Sequence, residues 1–300
     1  MINFLPIAIL AYALNGGAFV VNKIQLQTAQ LTPISYTFYT GLLQIIAVVF
    51  IPFGFSFDIP FTAIISAILS GVIFILALYA LFVSLKNTET SVAGPVIAAL
   101  NPFFTFLIGA LLLQEVLTNS QVTAFFVLMV GALIITANLW LTKIRLNKTL
   151  VLMTTSGFLF ALSYIFLRQV FLETTFINGL VISRVSAAAF AFSFLLIPKI
   201  RSQISQRQQS QFQKNSVILF FLGQAMSGLS NLLIFWAVSL ANPTLVNALF
   251  GVQYLVILSA ALALSKNHPN LLDERLTKST IIQKLFGAAI LSYGVYLLSR

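Results

Sequence analysis

Stretches of about twenty apolar residues follow one another almost without pause along the chain, and this pattern leaves few folds open. Apolar windows fall at about 3–22, 32–53, 60–85, 90–113, 121–141, 149–168, 174–198, 215–239, 244–265 and 279–299. A helix needs about 20 apolar residues to cross the hydrocarbon of a bilayer, and each window is long enough. A lone segment in lipid must satisfy its backbone internally, so each window is expected to be a helix. The breaks carry turn or charge signals: Thr32-Pro33, Asp58-Ile59-Pro60, Lys86-Asn87-Thr88-Glu89, Lys143 to Lys148, and Asn242-Pro243. Charged residues make up 7% of the chain and hydrophobic ones 59%, whereas a soluble globule has about a quarter of its residues charged. The expected fold is all-α and integral to the membrane, with ten transmembrane helices.

Composition also narrows the chemistry. There is no cysteine and a single histidine, His268, which stands in the polar turn Lys266-Asn267-His268-Pro269. Disulfides, thiol catalysis and Cys-metal sites are excluded, and neither a metal nor a cofactor is expected. The net charge of +10 does not read as a nucleic-acid surface, because the basic residues lie between apolar segments with no aromatic interleaving. Membrane orientation and anionic headgroups account for them better. The N-terminal run MINFLPIAILAYALNGG lacks a positive region before its apolar stretch, so it is expected to be a retained first span rather than a signal peptide. The Gln-rich basic segment 199–214 reads as a flexible surface loop.

Alternate loops differ in their basic residues. Those after spans 1, 3, 5, 7 and 9 hold Lys23, Lys86, Lys143, Arg145, Lys148, Lys199, Arg201, Arg207, Lys214, Lys266, Arg275 and Lys278; the opposite side holds Arg168 and Arg300. The positive-inside rule makes the rich side cytoplasmic and turns both termini outward.

An internal repeat is visible at two places. Leu111 to Thr118 reads LLLQEVLT and Leu271 to Thr277 reads LLDERLT; Val83 to Asn87 reads VSLKN and Val238 to Asn242 reads VSLAN. These markers divide the chain into residues 1–142, holding spans 1–5, and 148–300, holding spans 6–10. Because five is odd, the two copies must cross the membrane in opposite directions. Such inverted five-helix repeats are characteristic of secondary transporters, whose substrate sites lie near the midplane. Glu115 and Glu274 then become paired helix-end markers rather than working carboxylates, and Thr118 with Gln121 fits a capping box opening span 5.

The stretch from span 3 into span 4 carries a family resemblance. Tyr79 precedes the run Leu85-Lys86-Asn87-Thr88-Glu89-Thr90-Ser91-Val92-Ala93, with Pro102 two turns later and an apolar run closing on Glu115 and Thr118. This is similar to the drug/metabolite transporter superfamily, specifically its ten-helix group built from two EamA-type domains. Ala161, Tyr164, Arg168 and Arg184 fit the second domain. In span 1, Asn15-Gly16-Gly17-Ala18-Phe19-Val20 replaces a run in which the family shows Trp and Asn. The resemblance implies two EamA-like repeats and transport activity. It also implies cytoplasmic termini, against the charge count.

Candidate substrate-cavity residues are those with polar chemistry in apolar surroundings. Arg184 is the charge near the middle of a predicted span, where a guanidinium costs about 2.5–3.5 kcal/mol on insertion scales. It is either an anchor for a carboxylate or phosphate or a structural cation bonded to neighbouring carbonyls. In span 8, Gln224, Ser227, Gly228 and Asn231 form one polar stripe; in span 9, Asn247, Gly251 and Tyr254 repeat the pattern. Interhelical glue is the competing reading for such amides. Span 1 offers Tyr12, Asn15 and Phe19 on one face. Asn101-Pro102 can kink span 4, and Tyr79 and Trp236 read either as ligand platforms or as belt aromatics.

No predicted span has a carboxylate near its centre, which disfavours proton-coupled export of cations. The expected function is secondary transport of a small polar or amphipathic metabolite, an amino-acid-like or other organic anion or zwitterion, by alternating access. A structural or sensory multi-span protein is the alternative. A membrane-embedded enzyme is a weaker one, since no nucleophile–base pair or metal set is in sight. The expected partners are the metabolite and membrane lipid, with the chain a monomer or a homodimer in the inner membrane of a bacterium.

Overall fold

A computed structural model describes residues 4–28, 32–87, 90–113, 117–143, 148–205, 214–264 and 278–298. All the regular structure among the described residues is helical. Helix α1 is Phe4–Thr28; α2, Pro33–Leu43, continues as a 3-10 helix over Gln44–Phe53; then come α3 Phe61–Asn87, α4 Thr90–Leu112 and α5 Asn119–Lys143. Helix α6 is Lys148–Glu173, α7 Phe176–Ser193, α8 Pro198–Ser205 and α9 Lys214–Leu240. Helix α10, Pro243–Ala248, passes through a 3-10 turn into α11, Val252–Leu264, and α12 is Lys278–Leu298.

Helix occupies most of the described part of each apolar window, but fewer than the ten expected spans are long and apolar enough to cross a membrane among the described residues. Six stretches are long and apolar enough to cross a membrane: Phe4–Asn22, Pro33–Phe53, Phe61–Lys86, Leu150–Glu173, Phe176–Leu196 and Val217–Leu240. Leu100–Leu112, Asn119–Ile134, Pro243–Ile257 and Ile282–Leu297 are shorter apolar helices. The protein is thus an integral, multi-pass membrane protein. The segment expected to be a loop from 199 onward departs from expectation, because α8 is helical through Ser205 and docks on the start of α2, where Ser35 Oγ donates to the Gln203 carbonyl at 3.2 Å.

Local chemistry sets the helix starts. Thr32 caps α2 by accepting from the Ser35 amide, with Pro33 in the first turn. Thr175 caps α7 through the Asn178 amide, and Asn242 caps α10 through the Thr244 amide at 2.8 Å. At α5 the Thr118 amide donates to Gln121 Oε1 at 3.0 Å and the Gln121 amide donates to Thr118 Oγ1 at 3.3 Å, a reciprocal capping box.

Helix pairs pack through small residues, since lipid offers no hydrophobic force between helices and close van der Waals contact must supply the attraction. Helix α3 lies on α6, α1 on α9 and α5 on α12. Ser70 and Ser163 each donate to the other's carbonyl at 2.9 Å, stitching α3 to α6. Ser230 Oγ donates to the Ala11 carbonyl at 2.9 Å across α1 and α9. At Gly71 an added Cβ would sit 2.2 Å from the Ser183 carbonyl oxygen, so α3 and α7 meet backbone to backbone beside Arg184. The 3-10 segment of ten residues is unusual, since runs beyond about 3–4 residues are uncommon and often mark a hinge.

Candidate functional site

A cavity of 530 Å³ lies among α1, α2 with its 3-10 continuation, α3, α4, α6, α7 and α9. About half of the lining residues are phenylalanine and leucine, set among seven amides (Asn15, Asn22, Gln44, Asn101, Gln224, Asn231 and Gln253) and one cation, Arg184. Among the described residues that line it there is no carboxylate.

Arg184 is 3% exposed. Its guanidinium carbon stands 4.1 Å from the ring centroid of Phe74 on α3 and 4.1 Å from that of Phe235 on α9, two cation–π contacts. Nη1 donates to Gln44 Oε1 at 3.2 Å. Nε and Nη2 have no hydrogen-bond partner. Gln44 is itself held by its side-chain amide, which donates to the Thr40 carbonyl at 3.2 Å. The residue that opens the 3-10 segment therefore grips the cation. Buried charged donors without partners carry a desolvation cost of several kcal/mol, so in a folded protein they ask for an anion.

Other groups in the wall are also unsatisfied. Asn101 on α4 is fully buried; Nδ2 donates weakly to the Gly157 carbonyl at 3.5 Å while Oδ1 has no partner. Thr40 Oγ1, one helical turn before Gln44, is likewise without a partner. Asn15 Nδ2 donates to Gln253 Oε1 at 2.9 Å, linking α1 to α11, and Asn231 Nδ2 bonds the Ser227 carbonyl of its own helix at 2.9 Å.

Where α1, α2 and α9 converge, a polar layer adjoins the cavity through Asn22, Gln224 and Ser227. Tyr36 Oη donates to Asn22 Oδ1 at 2.7 Å, Gln224 Nε2 approaches Tyr36 Oη at 3.4 Å, and Asn22 Nδ2 approaches Ser227 Oγ at 3.4 Å. Tyr36 is fully buried, edge-on to Phe82 at 4.7 Å and to Phe220 at 5.6 Å. This layer sits on the side of the α1–α2 connection and of α8.

The structure gathers Arg184, Asn15, Asn101, Gln224, Ser227 and Asn231 around one space. It separates others from it. Tyr12 and Asn247 are not in the wall: Tyr12 Oη donates to Asn247 Oδ1 at 2.9 Å and Asn247 Nδ2 donates to Thr105 Oγ1 at 2.9 Å, a buried tie among α1, α10 and α4. The glue reading holds for them, because each polar atom is consumed by another helix. Tyr79 is 39% exposed on the outer face of α3 and does not reach the cavity. In span 9 the residue that faces the site is Gln253, while Gly251 packs on Leu291. The side chain of Tyr254, and Glu115 and Glu274, lie outside the described residues. Sequence reasoning missed Gln44, Asn22, Tyr36, Phe74 and Phe235. Gln44 carried the same signal as Gln224, an amide in an oily run. The two phenylalanines carried none, being two among 29.

Arg168 has a structural task. Its Nη1 donates to the carbonyls of Val238 at 3.0 Å and Ser239 at 2.8 Å. It thus closes the C-terminal end of α9, where a cation meets the helix dipole favourably.

Comparison with known proteins locates this architecture. Residues 4–137 match the sequence profile of the EamA-like transporter family, part of the drug/metabolite transporter superfamily. The resemblance drawn from Tyr79, Leu85-Lys86 and Pro102 is therefore shown for that part of the chain. No curated protein matches the chain. A solved structure, described only as the crystal structure of a protein, superposes with a TM-score of 0.62 at 15% identity, covering 98% of this chain and 96% of its own. At that identity the likeness concerns the fold.

Proposed function

We propose, taking the family match over residues 4–137 as premise, that the chain is a secondary transporter for a small organic anion or zwitterion. In this reading it works by alternating access around the Arg184 cavity. The observation that carries the proposal is the buried guanidinium with two unpartnered donors in a wall without a carboxylate. A cationic substrate meets only repulsion there, and a carboxylate-bearing one meets its counter-charge. Asn101 Oδ1 offers an acceptor for an ammonium or hydroxyl elsewhere on the same molecule.

The packing supports two inverted five-helix repeats, residues 1–142 and 148–300. If spans 1–5 correspond to spans 6–10, the α3–α6 pair maps onto α9–α1, and α4–α6 maps onto α11–α1; α5–α12 and α2–α7 each map onto themselves. All of these pairs are in contact. The symmetry breaks at one place that matters. Helix α3 presses on α7 through Gly71, while the equivalent elements, α9 and the second span, meet at the Tyr36 end through Gln224 and Phe220 and part where they line the cavity. A two-fold arrangement with one pair closed and its mate parted is what alternating access requires of two exchanging halves. The parted pair includes the 3-10 segment, which supplies a hinge.

Counterflow in proteoliposomes preloaded with pooled amino acids, nucleotides and sugar phosphates tests the proposal. Labelled substrate is expected to accumulate transiently against its gradient. Arg184→Ala is expected to abolish this and Arg184→Lys to keep part of it. Saturable binding with no movement across the sealed vesicle would instead identify a receptor.

A further inference from the structure

The geometry points to a monocarboxylate with an apolar body as the substrate, its two oxygens taken side-on by Nε and Nη2 of Arg184. The inference rests on the transporter reading above and narrows it to one anion chemistry.

A guanidinium presents three edges and two faces. Here the rings of Phe74 and Phe235 each stand 4.1 Å from the guanidinium carbon. Nη1 lies on the same side as the side-chain stem and is occupied by Gln44. The remaining pair, Nε and Nη2, carries N–H bonds that point the same way, and these are the two atoms without partners. Parallel donors at that spacing match the two oxygens of a planar carboxylate, each taking one charge-assisted bond. Gln44 and the two rings leave the guanidinium little freedom to turn another edge to the ligand, and because both free donors are buried, the carboxylate reaches them when the side chains around the fork give way.

Charge separates carboxylate from phosphate. A phosphate monoester carries about −1.5 to −2 at pH 7. Arg184 is the cation lining the cavity among the described residues, and it neutralises a single negative charge. A dianion leaves a charge that no second cation among the described lining residues compensates, which is disfavoured. A monocarboxylate leaves none. Around the fork, Phe160 and Leu180 join Phe74 and Phe235 in the wall, and Phe74 meets Phe160 edge-on at 5.7 Å. The rest of the ligand is therefore received by aromatic and aliphatic surface, which favours an apolar body.

Calorimetric titration of the full chain in lipid nanodiscs tests this with a benzyl series: phenylacetate, benzylsulfonate, benzyl phosphate and phenethylamine. Phenylacetate is expected to bind at least tenfold more tightly than the sulfonate, whose oxygens are weaker hydrogen-bond acceptors, and than the phosphate, whose second charge finds no counter-charge. Phenethylamine is expected not to bind. Arg184→Lys keeps the charge and loses the fork, so its preference for phenylacetate over benzylsulfonate is expected to fall to near unity. Equal or tighter binding of the sulfonate or phosphate to the unmodified protein overturns the carboxylate assignment while leaving an anion transporter standing. Binding of phenethylamine alone, or of none of the four, overturns both. The comparison among ligands needs no variant and so does not depend on how well one folds.

Discussion

Removing the hydroxyl of Tyr36 perturbs the polar layer with little disturbance of packing. Tyr36→Phe keeps the ring against Phe82 and Phe220 and deletes the donor to Asn22 Oδ1 at 2.7 Å. The approach of Gln224 at 3.4 Å is too long to add much. Hydrogen bonds inside membrane proteins average about 0.6 kcal/mol and reach about 1.7. The closed arrangement of α1, α2 and α9 should lose that amount relative to any arrangement in which the layer has parted. The parted population then rises about threefold at the low end and about twentyfold at the high end. The absence of cysteine makes a clean assay possible: Asn231→Cys places a single thiol in the cavity wall. In sealed vesicles, a membrane-impermeant maleimide is added from the side of the α1–α2 connection. The labelling rate in the double variant, relative to Asn231→Cys alone, should rise by the same factor. A ratio indistinguishable from one would show that the Tyr36 layer does not bar entry from the side of the α1–α2 connection.

Two further changes separate structure from function. Asn247→Leu strands Tyr12 Oη and takes the amide donor from Thr105 Oγ1, which keeps its bond to the Asn101 carbonyl at 2.8 Å, and losing a partner for a buried polar atom costs about 1–3 kcal/mol. The melting temperature in detergent should drop, while ligand affinity of the surviving folded protein should stay within a factor of two or so of the parent. Gly71→Val drives a side chain into the Ser183 carbonyl. Because backbone cannot yield as a side-chain end can, the α3–α7 contact must open. Reduced yield of monodisperse protein, or a distorted Arg184 site seen as lost ligand binding, is the expected result, whereas Gly228→Val, where an added Cβ meets nothing within 4 Å, should be tolerated.

What the sequence disclosed follows from which interactions are local. Helices came through because twenty apolar residues in lipid have one way to satisfy their backbone. The Thr118–Gln121 box came through because both partners lie within one turn. Arg184 stood out because charge inside a span is costly enough to need a reason. Its surroundings did not stand out, since Phe74, Gln44 and Phe235 are brought to it by three different helices, and nothing in a single helix's pattern says which of its faces meets which neighbour. The same limit explains the error over Asn247 and Gln253. Six residues apart in one span, on α10 and α11, both are amides in oil; only packing decides that the first faces Tyr12 and Thr105 while the second faces Asn15 and the cavity. A polar stripe thus marks a helix that has polar business with other helices without saying whether that business is adhesion or binding. The atoms that distinguish the two are those left unsatisfied once every helix is in place. Here they are Nε and Nη2 of Arg184, Oδ1 of Asn101 and Oγ1 of Thr40, and all four belong to residues that line one cavity.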